Sequence, residues 1–166
     1  MSLEYHIQAV AVLQACDRIG LKLATAESCT GGMIAAALTD IAGSSSVVER
    51  GFVTYSNEAK TELLGVPANL IRRHGAVSAE VAAAMAEGAL ARAPVDLAVS
   101  VTGIAGPGGA TPGKPVGLVY FGIVRQGSEV QTERHAFDGD RGEIRAAATR
   151  RALELLLEAA RRPPSQ

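Results

Sequence analysis

The sequence predicts an α/β domain, a three-layer α/β/α sandwich around a mixed sheet of about five strands. Three observations lead there. Segments with strand character alternate along the chain with segments of helical period, the pattern of helices packed on both faces of a sheet. Two strand segments near the C-terminus are joined only by Arg125-Gln126-Gly127-Ser128, a hairpin by length, so one pair is antiparallel and the sheet is mixed. No repeat or low-complexity linker divides the 166 residues, so residues 1–162 are expected to form a single domain and residues 163–166 a short tail.

Residues 3–19 read as a helix, with Ile7, Val10, Ala11, Gln14 and Ala15 sketching one face and Gly20 ending it. Residues 21–26 are short and alternate apolar positions, a strand. Thr30-Gly31-Gly32 opens a helix through Ile41, in which Ile34, Ala37, Leu38 and Ile41 recur at helical spacing. Residues 43–46 are a loop, and residues 47–55 carry the β-branched and aromatic residues of a second strand. Ser56 is placed to cap a short helix over residues 57–64. Pro67 starts another that Gly75 stops, and Ser78 caps an Ala-rich helix running to Arg92. Residues 95–102 carry little charge and read as a central strand, followed by a Gly/Pro loop over residues 103–115. Residues 116–124 and 129–137 are the hairpin strands. The second is polar enough, through Glu129, Gln131, Glu133 and Arg134, to lie at a sheet edge. Asp140 caps the last helix, whose apolar stripe is Ile144, Ala148, Ala152, Leu155, Leu156 and Ala159, and Pro163-Pro164 ends it.

Composition narrows the function classes. With 48% hydrophobic and 20% charged residues the chain can bury a core. A formal net charge of -1 gives no electrostatic footprint for nucleic acid. Aromatics at 4% and the absence of Trp remove the stacking platforms of single-strand binders. Nowhere do about 18 uncharged apolar residues run together, so no membrane span is expected. Residues 1–15 lack a basic start followed by an apolar run, and Cys16 and Cys29 are the only cysteines, so the expected setting is a reducing cytoplasm. The expected partner is a small molecule, with neither nucleic acid nor membrane, and homo-oligomerisation is left open.

Thr25-Ala26-Glu27-Ser28-Cys29-Thr30-Gly31-Gly32 lies where a strand ends and a helix begins. In open α/β sheets ligands bind beyond the carboxyl ends of strands. A helix N-terminus adds unpaired N–H groups and a partial positive charge, which suit an oxyanion or a phosphate. Ser28 therefore reads as a nucleophile beside its own oxyanion hole. The alternative is that Ser28 and Thr30 are helix caps and the glycines mere close packing. The phosphate-loop pattern Gly-x-x-x-x-Gly-Lys-Ser/Thr is not present here.

A serine nucleophile needs a base. His6, His74 and His135 belong to no cluster, and each suits a surface or helix-end role. No His-x-x-x-His or Cys-x-x-Cys spacing exists, so no metal is expected, and no cofactor. Of the three lysines, Lys22, Lys60 and Lys114, only Lys60 closes the first turn of a helix just past a strand. The helix dipole disfavours a cation there, and burial lowers its pKa further, toward a neutral amine that can take the serine proton. A solvated lysine paired with a nearby glutamate is the other reading. Tyr55 can hydrogen-bond into the same pocket or simply edge the core. Thr102-Gly103-Ile104-Ala105-Gly106-Pro107-Gly108-Gly109 follows the central strand, and its glycines let backbone approach a ligand, unless it is a plain crossover loop. Arg141 and Arg145, at the start of the last helix, can clamp a phosphate or stay solvated.

These segments also occur together in a known family. Ala26-Glu27-Ser28-Cys29-Thr30-Gly31-Gly32, Gly51-Phe52-Val53-Thr54-Tyr55-Ser56-Asn57-Glu58-Ala59-Lys60, His74-Gly75-Ala76-Val77-Ser78, Thr102-Gly103-Ile104-Ala105-Gly106-Pro107 and Lys114-Pro115-Val116-Gly117 resemble the C-terminal domain of the competence/damage-inducible protein CinA. The family includes stand-alone nicotinamide-nucleotide amidohydrolases. The resemblance runs in order from about residue 3 to residue 157. It implies a three-layer fold and hydrolysis of the carboxamide of nicotinamide mononucleotide to nicotinate mononucleotide and ammonia, a salvage step in pyridine-nucleotide metabolism. It implies Ser28 as nucleophile and Lys60 as base, with Tyr55 beside them. Substrate contacts are expected from Cys29, Thr30, Gly31, Gly32, Thr102, Gly103, Gly106, Arg141 and Arg145. Full CinA adds an N-terminal domain similar to molybdopterin-binding proteins. That domain is linked to nucleotide pyrophosphatase activity and is not in this sequence, so that activity is not expected. Two rivals stand beside this reading: a non-catalytic nucleotide-binding or sensor module using the same glycine crevice, and a thiol enzyme acting through Cys29.

Overall fold

Five strands, β1 (Leu23–Glu27), β2 (Val48–Val53), β3 (Leu97–Gly103), β4 (Leu118–Arg125) and β5 (Gln131–Ala136), form one sheet in the order β2-β1-β3-β4-β5. The computed structural model describes residues 2–163, so the expected tail lies outside the described residues apart from Pro163. β1 runs parallel to both β2 and β3, β4 is antiparallel to β3, and β5 is antiparallel to β4. Helices α1 (Leu3–Arg18), α2 (Met33–Thr39) and α6 (Arg141–Arg161) cover one face. Helices α3 (Asn57–Leu64), α4 (Ala68–His74) and α5 (Ala79–Arg92) cover the other. This is the three-layer arrangement around a mixed sheet that the sequence predicts.

Burial explains which strands read as apolar runs. Every residue of β1 is buried and all but the last of β3, because both strands have neighbours on either side and helices on either face. β2 and β5 are the edges and are half exposed. Arg151 of α6 fastens the β5 edge through a two-point contact with Glu133, at 2.8 and 2.9 Å, which holds the Glu133 carboxyl down to about 2.

The two core layers differ in grain. Leu23, Leu97, Val99, Val101 and Phe121 face Val12, Ile34, Leu38, Leu153 and Leu156, a layer of large aliphatic residues. On the other face Ala26 and Ala98 meet Val81, Met85, Ala86 and Ala89, with Leu64, Val66 and Ile71 closing the side. Small residues bring α5 close to its neighbours. The Ser100 hydroxyl donates to the Ala82 carbonyl at 2.6 Å, and a Cβ added at Gly122 would fall 2.5 Å from that same oxygen.

Helix starts follow their local signals. Ser56, Ser78 and Asp140 accept from the amides of Ala59, Val81 and Glu143, and Asp140 with Glu143 completes a capping box. Three expectations need correction. α1 buries Tyr5, Ala9, Val12, Leu13 and Cys16 rather than the face of Ile7, Val10, Ala11, Gln14 and Ala15; Ile7 is 61% exposed. The run Ala9-Val10-Ala11-Val12-Leu13 is apolar all round, so periodicity allows two overlapping stripes, and packing against α6 selects the other one. α2 starts at Met33, leaving residues 28–32 as a turn, because Gly31 and Gly32 take positive φ. The expected loop at 43–46 contains a 3₁₀ turn, Ser44–Ser46.

Replacing glycine by alanine inside a helix ordinarily gains about 1 kcal/mol of helix propensity. At Gly88 the added Cβ would sit 2.0 Å from the Leu64 carbonyl oxygen, so α5 and α3 would have to separate. Gly88→Ala is therefore expected to lose about 1–3 kcal/mol in urea unfolding. A neutral or stabilised variant would mean that the two helices do not pack this closely.

Candidate active site

Topology decides where the site lies. From β1 the chain leaves toward the β2 edge, and from β3 it leaves toward β4, on the opposite side. Connections from adjacent strands thus part and open a crevice at their carboxyl ends. A cleft of about 300 Å³ lies there, and its walls include Ser28, Cys29, Tyr55, Asn57, Lys60, Thr102, Gly103, Gly106 and Arg141.

Ser28 is the first residue beyond β1. Its amide donates to the Val101 carbonyl of β3 at 3.0 Å, so the sheet ladder itself holds its backbone. Across the cleft, Thr54 continues β2, and its amide donates to the Glu27 carbonyl at 2.8 Å. Ser56 then caps α3, which turns the chain so that Lys60 reaches back over this junction. Lys60 is 1% exposed. Its Nζ stands 3.0 Å from Ser28 Oγ, 2.7 Å from the Thr54 carbonyl and 3.4 Å from the Ser56 carbonyl. No carboxylate is among these partners, so the solvated, glutamate-paired lysine is not what the fold builds. Burial pushes the Lys60 ammonium down to about 8, against a smaller upward pull from Cys29.

At the mouth, Tyr55 is 62% exposed and its hydroxyl accepts from Arg141 Nη2 at 3.1 Å. Arg141 Nη1 donates to the Gly106 carbonyl at 2.8 Å, so one guanidinium bridges the two lips of the cleft. Thr102 Oγ1 donates to the Ala76 carbonyl at 2.9 Å, and Lys114 Nζ to the His74 carbonyl at 2.5 Å; both tie the glycine loop to the α4–α5 junction.

The other expected contacts are not among the residues lining the cleft. Thr30 is fully buried and its hydroxyl donates to Glu27 Oε1 at 2.7 Å. Gly31 and Gly32 shape the turn, Gly32 as the N-cap of α2. Arg145 donates to the Cys29 carbonyl at 3.0 Å and the Thr30 carbonyl at 3.3 Å, so it grips the turn from behind. The amides of Ile34 and Ala35 are taken by the Glu27 carboxylate at 2.9 and 3.1 Å, so α2 does not present the open N-terminus expected for a phosphate. Among the described residues no backbone carbonyl accepts from the amides of Cys29 and Thr30.

Two residues escaped the sequence reasoning. Asn57 lines the cleft as the first residue of α3, signalled only by its place between Tyr55 and Lys60. Glu27 is a buried carboxylate, signalled by a lone charge ending an apolar strand. None of His6, His74 and His135 lines the cleft; His135 stacks on Phe137 and contacts Glu133 at the β5 edge. Burial pushes the Cys29 thiol up to about 11, with the Glu27 carboxylate adding to the rise, the opposite of the thiolate that a thiol enzyme acting through Cys29 needs. Among the described residues no group of three or more His, Cys, Asp or Glu is placed to hold a metal ion, and no helix is long and apolar enough to cross a membrane.

Comparison with known proteins agrees with this fold. Residues 6–160 match the profile of the CinA C-terminal domain. A CinA-like protein of Akkermansia muciniphila is 55% identical over 144 residues, covering 87% of this chain and 35% of that protein. The chain spans about a third of the length of the CinA-like relatives it matches. The nicotinamide-nucleotide amidohydrolase PncC of Escherichia coli strain K12 is 52% identical over 143 residues, 86% of this chain and 87% of that one. The crystal structure of competence/damage inducible protein CihA from Agrobacterium tumefaciens superposes with a TM-score of 0.92 at 48% identity, over 98% of this chain and 100% of that chain.

The buried amine makes a stability prediction. Lys60 is lowered to about 8 in the folded protein from an ordinary value of 10.5. Between those values the unfolded chain holds a proton that the folded chain does not, so folding becomes more favourable as pH rises. Below that window both states hold the proton and the penalty is fully present. Relative to Lys60→Met, the wild type is expected to gain about 1–3 kcal/mol as pH rises from about 8 to about 10.5. Parallel urea-unfolding curves over that range would mean the amine is not buried.

Proposed function

The chain belongs to the CinA C-terminal domain family, and on that premise we propose that it hydrolyses the carboxamide of nicotinamide mononucleotide to nicotinate mononucleotide and ammonia. One observation carries the reading: a buried lysine amine with its pKa brought down to about 8, 3.0 Å from a serine hydroxyl in a cleft at the sheet's switch point. In the neutral amine, two N–H groups directed at the Thr54 and Ser56 carbonyls leave the lone pair facing Ser28 Oγ. Lys60 takes the hydroxyl proton as Oγ attacks the carboxamide carbon. The Cys29 amide, at the cleft wall, is the donor for the developing oxyanion, and losing one such donor costs about 10²–10³-fold. The Lys60 ammonium then protonates the departing nitrogen as the C–N bond breaks, and ammonia leaves. Water attacks the acyl-enzyme, its proton passing to Lys60 and on to Ser28, and nicotinate mononucleotide is released. Each such proton transfer is worth about 10²–10⁴-fold.

The surroundings suit an anionic nucleotide. α3, α5 and α6 begin at the carboxyl edge of the parallel strands, so their positive ends converge near the cleft, whereas that of α2 is taken by Glu27. Arg141 uses two of its N–H groups on Tyr55 and Gly106, and a guanidinium carries five, which leaves donors for a phosphate at the mouth. The phosphate role assigned from the sequence to either arginine is now proposed for Arg141 alone. Two free thiols, Cys16 and Cys29, accord with a cytoplasmic setting, which belongs to the same proposal.

Ammonia release from nicotinamide mononucleotide tests the activity, with free nicotinamide expected to be the poorer substrate by kcat/KM. Ser28→Ala is expected to lose at least about 10³-fold while Cys29→Ala keeps most turnover, and a chelator should leave the rate unchanged. Tight binding of the nucleotide without ammonia would make the protein a binding module instead. The acidic limb of kcat/KM should rise with a midpoint of about 8 as Lys60 loses its proton. Lys60→Arg should be nearly inactive, since guanidinium stays protonated. Near-normal turnover in that variant would make Lys60 an electrostatic anchor and send the search for the base elsewhere.

A further inference from the structure

Two charged side chains are buried among the described residues, Lys60 and Glu27. The proposed chemistry uses only the first. A carboxylate is costly to bury unless its oxygens are satisfied, and among the described residues the hydrogen-bond partners of Glu27 are neutral. Oε1 accepts from the Thr30 hydroxyl at 2.7 Å and the Ile34 amide at 2.9 Å, and Oε2 accepts from the Ala35 amide at 3.1 Å. These amides belong to the first turn of α2, whose N-cap position is Gly32, a residue with no side chain to cap with. Glu27, at the end of β1, supplies the missing cap from across the turn. Residues 28–32 are therefore closed into a loop with both ends on one carboxylate. The Gly31 amide donates to the Ser28 carbonyl at 3.0 Å inside that loop, and Arg145 holds the Cys29 and Thr30 carbonyls from outside.

We infer that Glu27 is a positioning residue for Ser28: its carboxylate fixes the turn that carries the Ser28 hydroxyl and the Cys29 amide into the cleft beside Lys60. The inference rests on the reading of Ser28 as nucleophile. Its physical content is that Ile34 and Ala35 can only donate, so an acceptor is required at both ends of the side chain. In Glu27→Gln, whichever way the carboxamide is turned, its NH₂ group meets an N–H. The turn must then shift, and displacement of a reacting group by about 1 Å can cost about 10²-fold.

The reactivity of Ser28 toward a fluorophosphonate tests this without reference to the natural substrate. Full-length protein is labelled over a range of pH, the adduct is followed by intact mass, and circular dichroism confirms that each variant is folded at the assay temperature. Wild type is expected to label at Ser28 with a rate that rises through about pH 8. Glu27→Gln is expected to label at least about 30-fold more slowly per folded molecule, with the same midpoint. A merely structural role would lower the folded fraction and leave that per-molecule rate unchanged. Equal rates overturn the inference, and so does a displaced midpoint, which would mean the charge acts on Lys60 instead. Should Glu27→Gln fail to fold, Thr30→Val removes one donor and keeps both amide bonds. A several-fold slower rate there supports the inference and an unchanged rate overturns it. If wild type itself does not label, the nucleophile reading of Ser28 fails and the inference fails with it.

Discussion

A lysine amine sits in the interior of this protein with two carbonyls and a hydroxyl as its hydrogen-bond partners and, among the described residues, no carboxylate paired with it. Water is a far better solvent for an ammonium than such a pocket, so the environment favours the neutral amine. That preference is unfavourable for folding at neutral pH and must be offset elsewhere. The offset is visible in the two aliphatic layers and in the anchoring of the carbonyl groups. Thr54 is hydrogen-bonded to the end of β1, and Ser56 is fixed by capping α3, so neither carbonyl is free to swing away from the amine. The cost of desolvation falls on an amine that stands 3.0 Å from the Ser28 hydroxyl in the cleft.

The cleft around it is assembled from three connections that share one edge of the sheet. The turn after β1 brings Ser28, the turn after β2 brings Tyr55, Asn57 and Lys60, and the loop after β3 brings Thr102, Gly103 and Gly106. Each is tied to another: Ser28 to β3, Thr54 to β1, and Tyr55 to the glycine loop through Arg141. Such cross-bracing limits how far the site can relax when one wall moves. The two buried charges are divided between the walls, and the backbone bond from Thr54 to the Glu27 carbonyl links them.

The arginines show how position selects role. Arg141 and Arg145 lie one helical turn apart on α6 and are chemically identical. Arg141 stands beyond the end of the sheet, where it meets Tyr55 and Gly106 at the mouth. Arg145 is one turn deeper and meets the carbonyls of Cys29 and Thr30. Cys29 is governed in the same way. A helix start alone would favour a thiolate, but the end of α2 is already occupied by the Glu27 carboxylate, and burial then raises the thiol.

Local chemistry was written into the sequence and read out for most decisions between residues a few positions apart, the start of α2 and the 3₁₀ turn at Ser44–Ser46 being the exceptions. The caps Ser56, Ser78 and Asp140, the stop at Gly75, the polar edge strand and the stripe of the last helix all depend on neighbours within about one helical turn or one strand pair. The motif around Ser28 and the placement of Lys60 just past a strand were legible for the same reason. What only the tertiary structure decided involves competition between distant partners. α1 presents two apolar stripes of similar merit, and contact with α6 chose between them. The amides of α2 had two candidate acceptors, an outside anion and the carboxylate of Glu27, and the close return of the chain after β1 gave them to Glu27. The strand order, and with it the meeting of Ser28 and Lys60 at 3.0 Å across 32 residues of chain, follows from how the crossovers close over the two core layers. No window of sequence holds that information, because chain closure and burial set it for all the elements at once.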